Sequence, residues 1–322
     1  MFRFGHYGHI KKPILLQGHE RSITQIKYNR EGDLIFSVAK DTVANVWYSV
    51  NGERLGTYNG HTGALWCVDC DWDTKNVLTG SADNSCKQLA MLNTSSAVRT
   101  CGFDFSGNII MFSTEKQMGY QCFLNYFDLR DPPSRLDNQP YLTPYLTVPC
   151  AESKITSAVW GPLGEFVIAG HENGEINQFS AKVHTPTHTH TSLYTFREHR
   201  RNTKQINDIQ TSTMVITASK DCSSKLFDSA TLDHIKSFKT ERSVNSAAIS
   251  PIMDHVVMGG GQEAMEVTRI GKFEARFFHA AYEEFGRVTS DPSTVYSSGG
   301  EDGYTRIHHF EPPSTLTLSW RR

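Results

Sequence analysis

Gly18-His19 and, one strand and turn later, Leu34-Ile35-Phe36-Ser37-Val38-Ala39-Lys40-Asp41, closing on Val46-Trp47, decide the fold of this chain. The residues Ile23 to Tyr28 predict a strand and Asn29 to Asp33 a turn. Leu34 to Val38 predict a second strand, Lys40-Asp41 a tight acidic turn, and Val43 to Tyr48 a third strand. A Ser or Thr four residues before an Asp, set in an apolar run, then returns at Thr79 with Asp83, Thr217 with Asp221 and Ser298 with Asp302. Weaker copies carry Gln117 or Glu172 at the acidic position. A period of roughly 40 to 45 residues, with several strands per unit, marks a propeller blade rather than a helical solenoid.

The same order of strand, turn, strand repeats at Trp66 to Cys70 with Val77 to Ser81, at Ser157 to Trp160 with Phe166 to Ala169, and at Asn245 to Ile249 with His255 to Met258. Adding the units at Phe103 to Tyr126, Asn207 to Phe227 and Val295 to His309 predicts an all-β, seven-bladed propeller. Pro13 to Leu16 have no partner strand ahead of them, so they are expected to close the ring as the outer strand of the last blade. Closure of this kind leaves only short, protected edges. The expected organisation is a single propeller over 13–311, with an extension over 1–12 and a tail over 312–322.

Composition narrows the function classes. Among 322 residues 38% are hydrophobic and 20% charged, which describes a folded, turn-rich chain. The net charge of −2 supplies no global positive field for nucleic acid, so any such contact has to be local. Seven scattered cysteines and the absence of a signal peptide or a long apolar run point to a reducing, cytoplasmic setting without a membrane anchor.

With Ser37, Asp41 and Trp47, the Gly-His pairs at Gly18-His19 and Gly60-His61 resemble the WD40 repeat. The resemblance implies that His19, Ser37, Asp41 and Trp47 form one hydrogen-bonded chain. It also implies that His61, Thr79 and Asp83, then Thr217, Asp221 and Phe227, and then Ser298 and Asp302, are copies of that chain. Buried groups of this kind read as satisfied structural networks rather than as a catalytic site.

More of the chain carries a closer resemblance. Lys12-Pro-Ile-Leu-Leu-Gln-Gly-His-Glu20, Val46-Trp-Tyr-Ser-Val-Asn-Gly-Glu-Arg-Leu-Gly56, Gly259-Gly-Gly-Gln-Glu-Ala264, Gly271-Lys-Phe-Glu-Ala-Arg-Phe277 and Ser298-Gly-Gly-Glu-Asp-Gly303 resemble the family of subunit i of eukaryotic translation initiation factor 3. That resemblance implies a noncatalytic scaffold, present as one copy in a hetero-complex, that docks subunits b and g and supports recruitment of the 40S ribosomal subunit and messenger RNA. It implies no cofactor and no metal, and leaves direct RNA contact open. Two rivals stand beside it: a propeller adaptor of a ubiquitin ligase or signalling complex, and a propeller enzyme with a polar site at its centre. Against the family pattern the chain runs short after Cys86, near Gln210-Thr211 and after Val288, so that blade two is expected to lack a strand and the last blade its first strand. Either the chain is a divergent or mis-spliced form or segments are absent from it, and the exposure of apolar neighbours that a lost interior strand would cause favours absence.

Other residues carry possible chemistry. Cys67 and Cys70 have metal-site spacing, yet residues three apart in a strand point to opposite faces, so both are read as core. His184, His188 and His190 lie in a Thr-rich stretch and read as solvated loop. Arg197, Arg200, Arg201 and Lys204 form the strongest basic run, read as a loop between blades, with His199 as a loop histidine of the Gly-His type. Gly259-Gly260-Gly261 lacks the Gly-Lys-Ser or Thr of a phosphate loop and reads as strand and turn. Asp208, in the alternating Gln205 to Ile209, is read either as a structural hydrogen bonder or, with Asp221, as an acidic patch for a basic residue of a partner. Lys272, Phe273 and Arg276 sit in a stretch expected to form an edge strand, a candidate rim contact, against ordinary pairing inside blade six.

Overall fold

The computed structural model describes residues 13–87, 91–116, 121–130, 144–150, 153–181, 195–200, 204–212, 214–250, 255–260, 274–279, 284–287, 295–300 and 302–309. These residues form seven antiparallel sheets arranged as the blades of one propeller. Blade one, the strands Ile23–Tyr28, Leu34–Ala39, Ala44–Tyr48 and Arg54–Tyr58, sets the pattern of a meander that starts at the axis and ends at the rim. The inner strands of consecutive blades lie side by side from Ile23–Tyr28 through Leu65–Cys70, Val98–Phe103, Ile155–Trp160 and Ile206–Thr211 to Val244–Ile249. Apolar layers between neighbouring blades hold the ring together, for example Cys67, Leu78, Val98 and Phe112 between blades two and three.

The last blade closes as expected. Ile14–Gln17 pairs with Tyr304–Ile307 and so supplies the outer strand of a sheet whose other members are Val295–Gly299 and Tyr304–His309. Among the described residues that sheet has three strands and holds no inner one, whereas the other six have four. Val295–Gly299 packs beside the inner strand of blade one as the second strands of other blades pack beside their next neighbour. Ile23 N–H donates to Gly300 O at 3.1 Å as Leu65 N–H donates to Asp41 O at 3.1 Å. Gly303 makes this junction possible: its φ is +77°, and a Cβ there would stand 2.7 Å from the His19 carbonyl oxygen.

Blade two departs from the expectation of a lost strand. Its sheet has four strands, the third and fourth being Ser85–Lys87 and Met91–Asn93, of three residues each. The shortfall after Cys86 shortens two strands instead of deleting one, and Cys86 and Leu92 still reach the apolar layer shared with blade three. Between Ile206–Thr211 and Met214–Ser219 only two residues intervene, against five at the corresponding turn of blade one, which makes the turn after Gln210 as cramped as its sequence suggests.

The basic run is corrected as well. Thr195–Arg200 is the outer strand of blade four, paired with Glu175–Ser180, so Arg197, His199 and Arg200 belong to a strand and not to a loop. Arg201 and the histidines 184, 188 and 190 lie outside the described residues, as do 1–12 and 310–322. Cys67 is buried between blades two and three while Cys70 packs against the layer between blades one and two. Gly259 and Gly260 lie in the strand His255–Gly260.

Candidate functional site

Blade one shows how the repeated residues act. Trp47 Nε1–H donates to Ser37 Oγ at 2.8 Å, and the Ser37 hydroxyl lies 2.8 Å from His19 Nε2. The other ring nitrogen, Nδ1, lies 2.8 Å from Asp41 Oδ2. One consistent direction runs through the set, from indole to hydroxyl to imidazole to carboxylate, with His19 protonated on Nδ1. Gly18 permits it, since a Cβ there would meet the Trp47 ring at 2.7 Å. The sequence places His19 in the turn entering the blade, Ser37 at the centre of the second strand and Trp47 on the third, so the chain of bonds ties three parts of the sheet.

Blade two repeats the arrangement without the indole. His61 Nε2 lies 2.9 Å from Thr79 Oγ1 and Nδ1 lies 2.9 Å from Asp83 Oδ2. Burial alone would raise the Asp83 carboxyl, but hydrogen bonds from Ser85, the Thr62 backbone and His61 outweigh it and hold the group at about 2. In blade five Asp221 accepts from the Ser223 backbone at 3.0 Å and Phe227 is fully buried. In blade seven the partners change. Ser298 Oγ lies 3.1 Å from His308 Nε2, and Asp302 pairs with the guanidinium of Arg306, which holds its carboxyl below the usual range.

Strand register shows how the two weaker copies are miscounted, Gln117 itself lying outside the described residues. Ser37 pairs with Ile26, the fourth residue of the inner strand, and by the same pairing the equivalents are Phe112 opposite Cys101 and Ala169 opposite Ala158. The acidic position of blade four therefore falls on Asn173, whose side-chain oxygen accepts from the Glu175 backbone as Asp41 accepts from Val43. Glu172 instead reaches Lys154 at 3.4 Å. In blade three Phe112 stacks on Phe127, with centroids 5.2 Å apart, where blade one has its Ser37–Trp47 hydrogen bond.

Asp208 belongs to a second series that sequence reasoning missed. The third residues of the inner strands bridge neighbouring blades: Gln25 Oε1 accepts from Val68 N–H at 2.7 Å, Thr100 Oγ1 from Ala158 N–H at 3.3 Å, and Ser157 Oγ from Ile209 N–H at 3.2 Å. Asp208 holds that same position in blade five and accepts from Ser246 Oγ of blade six at 2.6 Å, with Ser157 Oγ at 3.4 Å. Burial pushes its carboxyl up to about 6, against the lowering pull of Ser246, the Ile209 backbone and Lys27. Lys27 is itself 3.0 Å from Asp69, so the inner wall carries both signs of charge. Asp208 faces Ala218 across the strand pair while Asp221 bonds within its own turn, so the two carboxylates serve different partners.

The edge-strand expectation for the stretch around Arg276 does not hold. Glu274–His279 lies between His255–Gly260 and Glu284–Arg287, both of which pair with it, so it is an interior strand of blade six. Its alternating charges follow the two faces of the sheet, and Arg276 turns toward Glu241 at 3.7 Å. Lys272 and Phe273 lie outside the described residues.

No three His, Cys, Asp or Glu side chains come together as a metal site among the described residues, and no helix there is long and apolar enough to cross a membrane. A ring of seven blades, with Gly-His, Ser or Thr, Asp and Trp linked as in blade one, defines a propeller of the WD40 class. Within that class the EIF3I family model matches residues 11–315. The chain is 74% identical to a Danio rerio protein named eukaryotic translation initiation factor 3 subunit I, and 68% and 67% identical to the proteins of that name from Taeniopygia guttata and Homo sapiens. Each alignment takes in 94% of this chain and 97% of the relative. The chain belongs to the family of eukaryotic translation initiation factor 3 subunit I, a family of translation initiation factors. The alignments run over 328 positions, more than the 322 residues present, so the chain carries gaps against these relatives.

Proposed function

We propose that the propeller is a noncatalytic scaffold of the initiation factor 3 complex, which holds other subunits and through them supports recruitment of the 40S ribosomal subunit and messenger RNA. Family membership over nearly the whole chain carries this reading. The physics is compatible with it: the repeated polar residues are used up in tying strands and blades, which leaves a rigid ring whose faces and rim are free for partners. The domain is taken as 13–311, working as one copy in the cytoplasm, with subunits b and g as its partners.

Asp208 is the candidate for partner contact at the inner wall. A cation from a partner would lower the cost of keeping this carboxylate ionised, which gives the contact an electrostatic driving force. Asp221 and Arg276 are further candidates, each requiring the partner to compete with a present bond. Affinity purification of the full chain from cells tests the proposal. Recovery of initiation factor 3 subunits together with 40S particles is expected, whereas cullin or kinase components in their place would overturn it. Asp208→Lys, which also breaks the bond from Ser246, is expected to weaken recovery of the subunits at a temperature well below the variant's own melting point, and full recovery there would remove Asp208 from the interface.

A further inference from the structure

The turns joining the first and second strands of blades one to four lie next to one another at one end of the ring. Asn29 Nδ2–H donates to Thr74 Oγ1 at 3.2 Å, linking the first two turns. Gly107 packs against Asp71, where a Cβ would come to 3.3 Å, and Gly164 against Asp104, where it would come to 3.6 Å. Along this staircase runs a row of exposed apolar side chains that none of the networks above uses. Trp72 is 40% exposed, Phe105 56% and Leu163 81%.

The row is ordered. The Arg30 guanidinium sits 4.1 Å from the Trp72 ring centre, and Trp72 and Phe105 have centroids 4.2 Å apart. Leu163 is held at φ +63°, a left-handed conformation that disfavours a leucine, so local chain preference does not explain its outward position. Adjoining aromatic and aliphatic groups exposed on a rigid ledge have the composition of a binding hot spot.

Charge selects the partner. The turns of blades one to three carry the carboxylates of Glu31, Asp33, Asp71, Asp73 and Asp104. Within these turns stand two cations, each already near an acid: Arg30 lies 3.9 Å from Glu31 and Lys75 2.8 Å from Asp73. A single-stranded RNA would find rings to stack on, but its phosphates would face this negative field. A protein segment with an apolar anchor flanked by Lys or Arg meets both features at once. We infer that the row Trp72, Phe105 and Leu163 is a docking surface for a basic, apolar-anchored segment of a partner protein. The inference deepens the scaffold reading and rests on it, because only a docked partner gives such a surface a use.

Site-specific photocrosslinking in the assembled complex tests it. With p-benzoylphenylalanine in place of Phe105 in the full chain, irradiation of the purified complex is expected to label a protein segment in which Lys and Arg outnumber Asp and Glu around an apolar side chain. The yield is expected to exceed that from the same probe at Ile235, an exposed position on the outer strand of blade five. Asp73→Lys with Trp72→Ser is expected to cut the yield about tenfold, as loss of one hot-spot anchor does, while melting temperature and recovery of initiation factor 3 subunits through other contacts persist. Crosslinks to RNA, to an acid-rich segment, or no more than at Ile235 would overturn the inference. If initiation factor subunits are recovered without the crosslink, the surface fails alone; if none is recovered, the scaffold reading fails.

Discussion

Blade one and blade three solve the same packing problem in opposite ways. In blade one Ser37 stands at the centre of the second strand and passes a hydrogen bond from Trp47 to His19 and on to Asp41. In blade three the same register position is Phe112, and the contact is a stack on Phe127 with both rings buried. A polar residue at this buried position keeps a hydrogen-bond partner even where the set is incomplete, as Thr79 does with His61 in blade two, whereas in blade three an apolar pair fills the space. Blade seven is intermediate, keeping Ser298 but using His308 as its partner and turning Asp302 to Arg306.

Substitutions can break this comparison. The largest effect is expected from Trp47→Ala, which empties a buried space beside Gly18 and removes the donor to Ser37, costing roughly 3 to 5 kcal/mol in denaturant unfolding. A loss below about 1 kcal/mol would show that the ring does not depend on the indole. Asp41→Ala leaves His19 Nδ1 buried without its acceptor and is expected to cost roughly 1 to 3 kcal/mol. Ser113→Ala in blade three is the contrast: Ser113 Oγ is buried and makes no hydrogen bond, so its removal should change stability by less than about 0.5 kcal/mol or raise it.

Two carboxylates sharpen the same point through pH. The folded-state value of Asp83, about 2, lies below that of the unfolded chain, so its stabilising contribution is present above about pH 4 and is lost as pH falls toward 2. Asp83→Asn should flatten that acid limb of the stability curve. Asp208 has the opposite sign. Its value of about 6 lies above that of the unfolded chain, so the contribution of its protonated form is full below about pH 4 and is lost as pH rises through 6. Asp208→Asn is therefore expected to remove this loss, leaving the variant as stable as the parent below about pH 4 and more stable at pH 7.5. Thermal melts at the two pH values check it, and a variant less stable at pH 7.5 would assign the ionised carboxylate a stabilising role.

Much of the fold was legible because a Ser or Thr set four residues before an Asp fixes a turn and a register together, and four blades announce themselves by it. Blade two was misjudged because strands of three residues, Ser85–Lys87 and Met91–Asn93, are too short to show alternation. Thr195–Arg200 read as a loop because charged residues crowd an outer strand that has a neighbour on one side only. Gln117 and Glu172 matched the spacing by letter, yet strand pairing sets the count from Phe112 and Ala169. The bridging role of Asp208 had no local signal, since it arises from contacts between residues about 40 to 50 positions apart in neighbouring blades. Trp72, Phe105 and Leu163 did leave one, as large apolar residues inside otherwise polar turns.

The claim that the His19, Ser37, Asp41 and Trp47 set holds blade one while partners are met elsewhere is tested most directly on Ser37→Ala. Subunit recovery is measured by affinity purification at a temperature well below the variant's own melting point. The account predicts a lower melting temperature with undiminished recovery of initiation factor 3 subunits. Unchanged melting with lost recovery would contradict it, and would make Ser37 part of a binding site.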